Sequence, residues 1–98
     1  MDKLFFIFFI LFYLLTYGQS QDIEIKGAVY DKNTLIPLYS VNIRIEKTNI
    51  STISDKHGKF HLKIPKKHSD KKLCFSFLGY KNQKMNINKL NEQVLIYL

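Results

Sequence analysis

Water-avoiding side chains recur at every second position through five separate stretches of this chain. No other feature constrains its fold as tightly. Ile23, Ile25, Gly27 and Val29 alternate with Glu24, Lys26, Ala28 and Tyr30. Val41, Ile43 and Ile45 alternate with Asn42, Arg44 and Glu46. The same rhythm sets Phe60, Leu62 and Ile64 against Lys59, His61 and Lys63, and Leu73, Phe75 and Phe77 against Lys72, Cys74 and Ser76. It returns at Val94, Ile96 and Leu98, with Leu95 and Tyr97 between them. Strict alternation sends one set of side chains to a buried face and the other to water. Five such runs, parted by turn-rich pieces, predict an all-β sandwich. The predicted inner layer is Ile25, Val29, Val41, Ile43, Ile45, Phe60, Leu62, Ile64, Leu73, Phe75, Phe77 and Ile96.

The breaks between runs agree with this. Asp31-Lys32-Asn33-Thr34 is a polar turn that the Asp31 carboxylate can cap. Pro37 cannot donate to a strand ladder, so it belongs before the next strand. Ser54 to Gly58 turns back tightly, and Gly58 takes positive φ without steric cost. Pro65 closes the Phe60–Ile64 run, Lys66 to Lys72 forms a charged loop, and Leu78-Gly79-Tyr80 marks a bend. Ser51–Ser54 and Gln83–Ile87 are candidates for short extra strands, and Lys89–Glu92 is expected to be a loop. Gly27 falls at an inward position, where a missing side chain leaves room for a bulky neighbour or a bulge.

The 98 residues allow one domain at most, and the first part of the chain reads differently from the rest. Lys3 is followed by an almost unbroken apolar run from Leu4 to Leu15, then by Thr16-Tyr17-Gly18-Gln19-Ser20-Gln21. A charged start, an apolar centre and a small-residue exit are the layout of a secretory signal peptide, placed here at residues 1–20. Gly18 and Ser20 are the two candidate exit residues. A retained membrane anchor is the alternative reading. A spanning helix needs about 20 apolar residues, and this run is shorter. After cleavage no membrane span is expected, and about 77 to 80 residues are left for the domain, 22–98. That size is marginal for a single apolar core. The lone Cys74 excludes an internal disulfide.

The formal charge is +7, carried by lysines and a single arginine, Arg44. Bidentate recognition of phosphate or guanine favours arginine, so a nucleic-acid partner is not expected. The charge reads mainly as solubility.

Residues able to carry chemistry are few. His57 and His61 are four apart, but across a turn and into a strand. His68 lies in the charged loop, and no carboxylate or cysteine joins the histidines at a metal-ligand spacing. Cys74 lacks a nameable activating histidine and is expected to be a small half-buried residue. Asp31, Asp55 and Asp70 sit in turns without an Asp-x-Asp-x-Asp spacing and read as caps. Asn49-Ile50-Ser51 fits a glycosylation sequon and reads as a chance match. Lys66-Lys67-His68-Ser69-Asp70-Lys71-Lys72 reads as a self-solvating loop that discourages edge pairing, with an acidic partner surface as the alternative. Tyr30, Tyr39, Tyr80 and Tyr97 suit either a sandwich edge or a platform for a sugar or peptide. No catalytic, cofactor-binding or metal-binding residue is assigned.

Three motifs stand in order along the chain. Ile25-x-Gly27-x-Val29-x-Asp31-x-x-Thr34-x-x-Pro37-Leu38-x-x-Val41-x-Ile43 resembles the opening of the carboxypeptidase-like regulatory domain. Ser54-Asp55-x-x-Gly58-x-Phe60-x-Leu62 is similar to that family's middle segment, and Phe75-Ser76-x-x-Gly79-Tyr80 to its third. The resemblance implies a prealbumin-like (transthyretin-like) β-sandwich of about seven strands without catalytic residues, so the chain is expected not to be an enzyme. It further implies a Bacteroidetes host and an exported, periplasmic or outer-membrane-associated domain. Such a domain resembles the N-terminal extension of TonB-dependent receptors of the SusC/RagA type and has a protein partner. The alternative is a stand-alone periplasmic or surface domain that binds a glycan or small ligand. A transthyretin-like hydrolase would need clustered His, Arg and Ser, which a single arginine disfavours. Where the family has glycine in the hairpin before its middle segment, this chain has Thr48-Asn49-Ile50-Ser51, so Asn49 is expected to take the left-handed turn position.

Overall fold

The computed structural model describes residues 22–98. The predicted leader, residues 1–20, lies outside the described residues. Seven strands form two sheets, as expected for an all-β sandwich. They are β1 (Asp22–Tyr30), β2 (Asn42–Ile45), β3 (Ser51–Ile53), β4 (Lys59–Pro65), β5 (Lys72–Ser76), β6 (Gln83–Asn86) and β7 (Gln93–Tyr97). Both short candidate strands are present, as β3 and β6. A single 3-10 turn at Ile87–Lys89 stands where the sequence suggested a loop slightly further on, and another at Lys66–His68 opens the charged loop.

One sheet has the order β4-β1-β7 and the other β3-β2-β5-β6. β1 runs antiparallel to β4 but parallel to β7, with Ala28 opposite Leu95 and Tyr30 opposite Tyr97. All pairs of the four-stranded sheet are antiparallel. The alternating residues close between the two sheets. Ile25, Val29, Val41, Ile43, Ile45, Phe60, Leu62, Ile64, Leu73, Phe75 and Ile96 are all buried. The rings of Phe60 and Phe75, one from each sheet, meet edge-on at a centroid distance of 5.9 Å.

Phe77 is a correction to the predicted inner layer. β5 ends at Ser76, so Phe77 has left the pleat; it is only partly buried, packed against the rim of the core and against Tyr80 at 5.5 Å. Leu38, Ile87 and Leu98 join the core from outside the alternating set or at its end. Ala28 stands on the outward set yet is buried, because its short side chain sits between the register partners Lys59 and Leu95.

Gly27 fulfils its expected role. A Cβ there would lie 2.7 Å from the Phe60 ring and 2.5 Å from the carbonyl oxygen of Val94. The missing side chain is what lets Phe60 cross over β1. The turn after β2 departs from expectation. The left-handed residue is Lys47, at φ 63°, and not Asn49. The Thr48 amide and hydroxyl both donate to the Ile45 carbonyl, and the Ile50 amide donates to the Thr48 hydroxyl. That pattern places the tight position one residue before Thr48.

Candidate interaction surface

The strand directions bring three loops to one end of the sandwich: residues 31–41, 54–58 and 77–82. The first sequence motif runs through the first of these loops, the second begins in the next and the third ends in the last, and their side chains knit the loops together. The Asp31 carboxylate accepts the Asn33 and Thr34 amides through Oδ1, at 2.8 and 2.9 Å, which is the expected turn cap. Its Oδ2 accepts the Tyr80 hydroxyl at 2.6 Å, a bond spanning 49 residues of sequence that no local pattern announces. Ser54 is 1% exposed, and its hydroxyl donates to the Leu38 carbonyl and accepts the Val41 amide. A buried hydroxyl with both roles filled has its desolvation cost offset, and it fixes the 38–41 segment. Asp55 Oδ1 accepts the His57 and Lys59 amides. Gly58 sits at φ +76° beneath Val29, whose amide donates to the Gly58 carbonyl.

The electrostatics follow from these bonds. The Tyr80 hydroxyl first, then the Thr34 and Asn33 amides, hold the Asp31 carboxyl down to about 2. Folding therefore favours the ionised form. This stabilisation is complete above the ordinary value of 3.8 and is lost as pH falls toward 2. The same bond pushes the Tyr80 hydroxyl up. In Tyr80→Phe the Asp31 carboxyl is expected to titrate closer to 3.8, a change readable by carboxyl NMR titration. An unmoved titration would show that the phenol does not reach Asp31 in solution.

This braced end carries unusual apolar exposure. Leu35, Ile36 and Tyr39 on the first loop are 63%, 60% and 62% exposed, and Leu78 on the third is 95% exposed. Ser40 and the 77–80 segment line one shallow concavity, so the two loops are neighbours. Leu35 and Ser40 hold φ of 61° and 67°, where non-glycine residues pay about 1–2 kcal/mol. The Asp31 and Ser54 bonds on either side hold that conformation.

The remaining candidates are scattered. His57 is in the 54–58 turn, His61 is on the outer face of β4 3.8 Å from Glu24, and His68 is in the charged loop at the far end. Among the described residues no group of three or more His, Cys, Asp or Glu could hold a metal ion. The His68 Nδ1 is buried without a partner. Burial, then Lys71 and Lys67, lowers its pKa, so its neutral form is favoured by folding and that stabilisation is lost as pH falls below about 6.5. Asp70 is exposed in the same loop. Cys74 is half-buried between the register partners Arg44 and Lys84, on the outer face of the four-stranded sheet. The concavity there measures about 270 Å³, below the usual range for small-molecule sites. Tyr30 and Tyr97 stack at 5.9 Å on the outer face of the other sheet. Among the described residues no helix is long and apolar enough to cross a membrane.

A family model described as the CarboxypepD_reg-like domain matches residues 25–98. No curated protein sequence matches the chain.

Proposed function

The chain belongs to the CarboxypepD_reg-like domain family, a β-sandwich family of non-catalytic kind, and from that membership we propose that it is an exported, non-enzymatic accessory domain. It works by contact with a protein of the periplasm or outer membrane, in the manner of the N-terminal extension of a TonB-dependent receptor. The observation that carries this reading is the braced loop end. Four large apolar side chains stand in water on two adjacent loops, while buried and charge-assisted hydrogen bonds hold the backbone beneath them. Exposed apolar groups on a rigid frame suit recognition, because little ordering entropy remains to be lost on contact. The leader-like start, with Lys3 ahead of Leu4–Leu15, supports export.

The test is photo-crosslinking in the native host from a reactive residue at position 78, with position 63 on the outer face of β4 as control. A defined envelope protein is expected to be captured from position 78 and not from 63. Leu78→Asp is expected to abolish capture without lowering thermal stability, since the side chain is 95% exposed. N-terminal sequencing is expected to begin after Gly18 or Ser20. Equal capture from both positions, or an unprocessed cytoplasmic chain, would overturn the proposal.

A second reading, a stand-alone binder of a glycan or small ligand, draws on the Tyr30–Tyr97 stack. Beside it runs a groove of about 590 Å³ lined by Lys26, Tyr30, Lys59, Gln93 and Leu95. A sugar face stacking on such a pair would raise the melting temperature in a glycan screen, and Tyr97→Ala would remove that rise.

A further inference from the structure

Each sheet has two edges, and three of the four are guarded. β4 presents Lys59, His61 and Lys63 on its outer face and closes on Pro65. β3 is three residues long. β6 is four residues long and carries Lys84. Charges, proline and shortness are the usual defences of an open edge. β7 has none of them. Gln93-Val94-Leu95-Ile96-Tyr97 is an uncharged strand that includes the β-favouring Val94, Ile96 and Tyr97, with Leu95 61% and Tyr97 45% exposed.

The ladder fixes which backbone groups are free. The Lys26 amide donates to the Glu92 carbonyl, and the Leu98 amide donates to the Tyr30 carbonyl. In a parallel pair such bonds fall on alternate residues, so Val94, Ile96 and Leu98 face β1. The amides and carbonyls of Gln93, Leu95 and Tyr97 then face the open edge. Among the described residues the Tyr97 carbonyl alone has a partner there, the Gln83 Nε2 at 2.9 Å.

We propose that β7 pairs antiparallel with β7 of a second copy about a twofold axis through Leu95, joining two three-stranded sheets into one of six strands. In this register Leu95 opposes Leu95 as a hydrogen-bonded pair, and Gln93 opposes Tyr97 on both sides. No like charges meet. The same operation on β4 would set lysines and a histidine against one another, which is unfavourable. The pairing is isologous, so it closes at two copies and uses up the edge. It leaves the loop end free.

The test is sedimentation velocity on the chain expressed with its own leader and purified as the cell processes it. A reversible monomer–dimer equilibrium is expected. It should tighten between about 0.05 M and about 0.5 M NaCl, because copies of formal charge +7 repel each other and salt screens that repulsion. Leu95→Lys sets two ammonium groups face to face on the axis. It is expected to weaken the dimer by at least about tenfold, with no change in the melting temperature measured at a concentration where the parent is monomeric. In a Cys74→Ser background, Leu95→Cys should be joined between copies by a short bifunctional thiol reagent, since Cα atoms of a hydrogen-bonded antiparallel pair lie about 5.5 Å apart. A monomer at every concentration and salt, open-ended oligomers, a dimer indifferent to Leu95→Lys, or no cross-link at position 95 would overturn the proposal.

Discussion

Phe75→Ala is expected to abolish the folded state. Phe75 is fully buried, its ring meets Phe60 of the opposite sheet, and its backbone lies between Ile43 and Gln83 in the middle of the four-stranded sheet. Removing a buried phenylalanine costs about 3–5 kcal/mol. A domain of this size without a disulfide holds about 3–5 kcal/mol in all. The loss therefore matches the whole margin. Thermal unfolding followed by circular dichroism should show no cooperative transition above room temperature. A variant that melts like the parent would mean that Phe75 does not face the interior.

Gly58→Ala is also expected to be strongly damaging, although it adds one methyl group and lies in a turn. The position holds φ +76°, which costs an alanine about 1–2 kcal/mol. The added Cβ would also stand 2.5 Å from the Val29 carbonyl oxygen and 3.1 Å from Pro37. Neither can yield cheaply. That carbonyl accepts the Leu38 amide, and Pro37 bridges to Tyr30. A destabilisation of about 2–4 kcal/mol is expected in a urea titration. Gly79→Ala is the matched control. Its φ is +88° but nothing lies within 4 Å of its Cβ, so only the conformational part of the cost should appear. Equal losses at the two positions would show that the close approach under Gly58 does not exist in solution.

The two glycines also mark where sequence reasoning reaches and where it stops. Alternation finds the strands and eleven of the buried residues because a pleated backbone converts a period of two directly into two faces. It misplaces Phe77 because the pleat ends one residue earlier, which no side-chain pattern announces. It also misses Leu38 and Ile87, whose burial depends on where loops fold back. Ala28 shows a further limit: parity gives the face, but the height of neighbouring side chains decides burial. In the turn after β2 the family resemblance, which has glycine in that hairpin, points to Asn49 as the left-handed residue. The Thr48 hydrogen bonds set the register instead and put Lys47 there.

The turns of the candidate surface are legible: Asp55 reads as a cap and Gly58 as a positive-φ residue, and both have those roles. Asp31 is visible as a turn cap, and that is the role it has. Its second bond, to Tyr80, belongs to tertiary structure, as does the bridge that Ser54 makes between Leu38 and Val41. The motif residues are thus mainly those that fasten one end of the sandwich. The exposed apolar side chains, Leu35, Ile36, Tyr39 and Leu78, lie on the loops they fasten. The unguarded edge at β7 was hidden for a different reason. A parallel partner for β1 leaves no local signature, so the position of β7 in the sheet could not be read from its own residues.

The central claim is that two sheets close over a shared interior, with residues far apart in the chain meeting across it. A nuclear Overhauser spectrum of the folded protein tests this most directly through the aromatic rings. Cross-peaks between Phe60 and Phe75 are expected at the 5.9 Å centroid separation, together with contacts between Tyr80 and Asp31. A well-dispersed spectrum of a folded chain in which the Phe60 and Phe75 rings share no cross-peak would contradict the account.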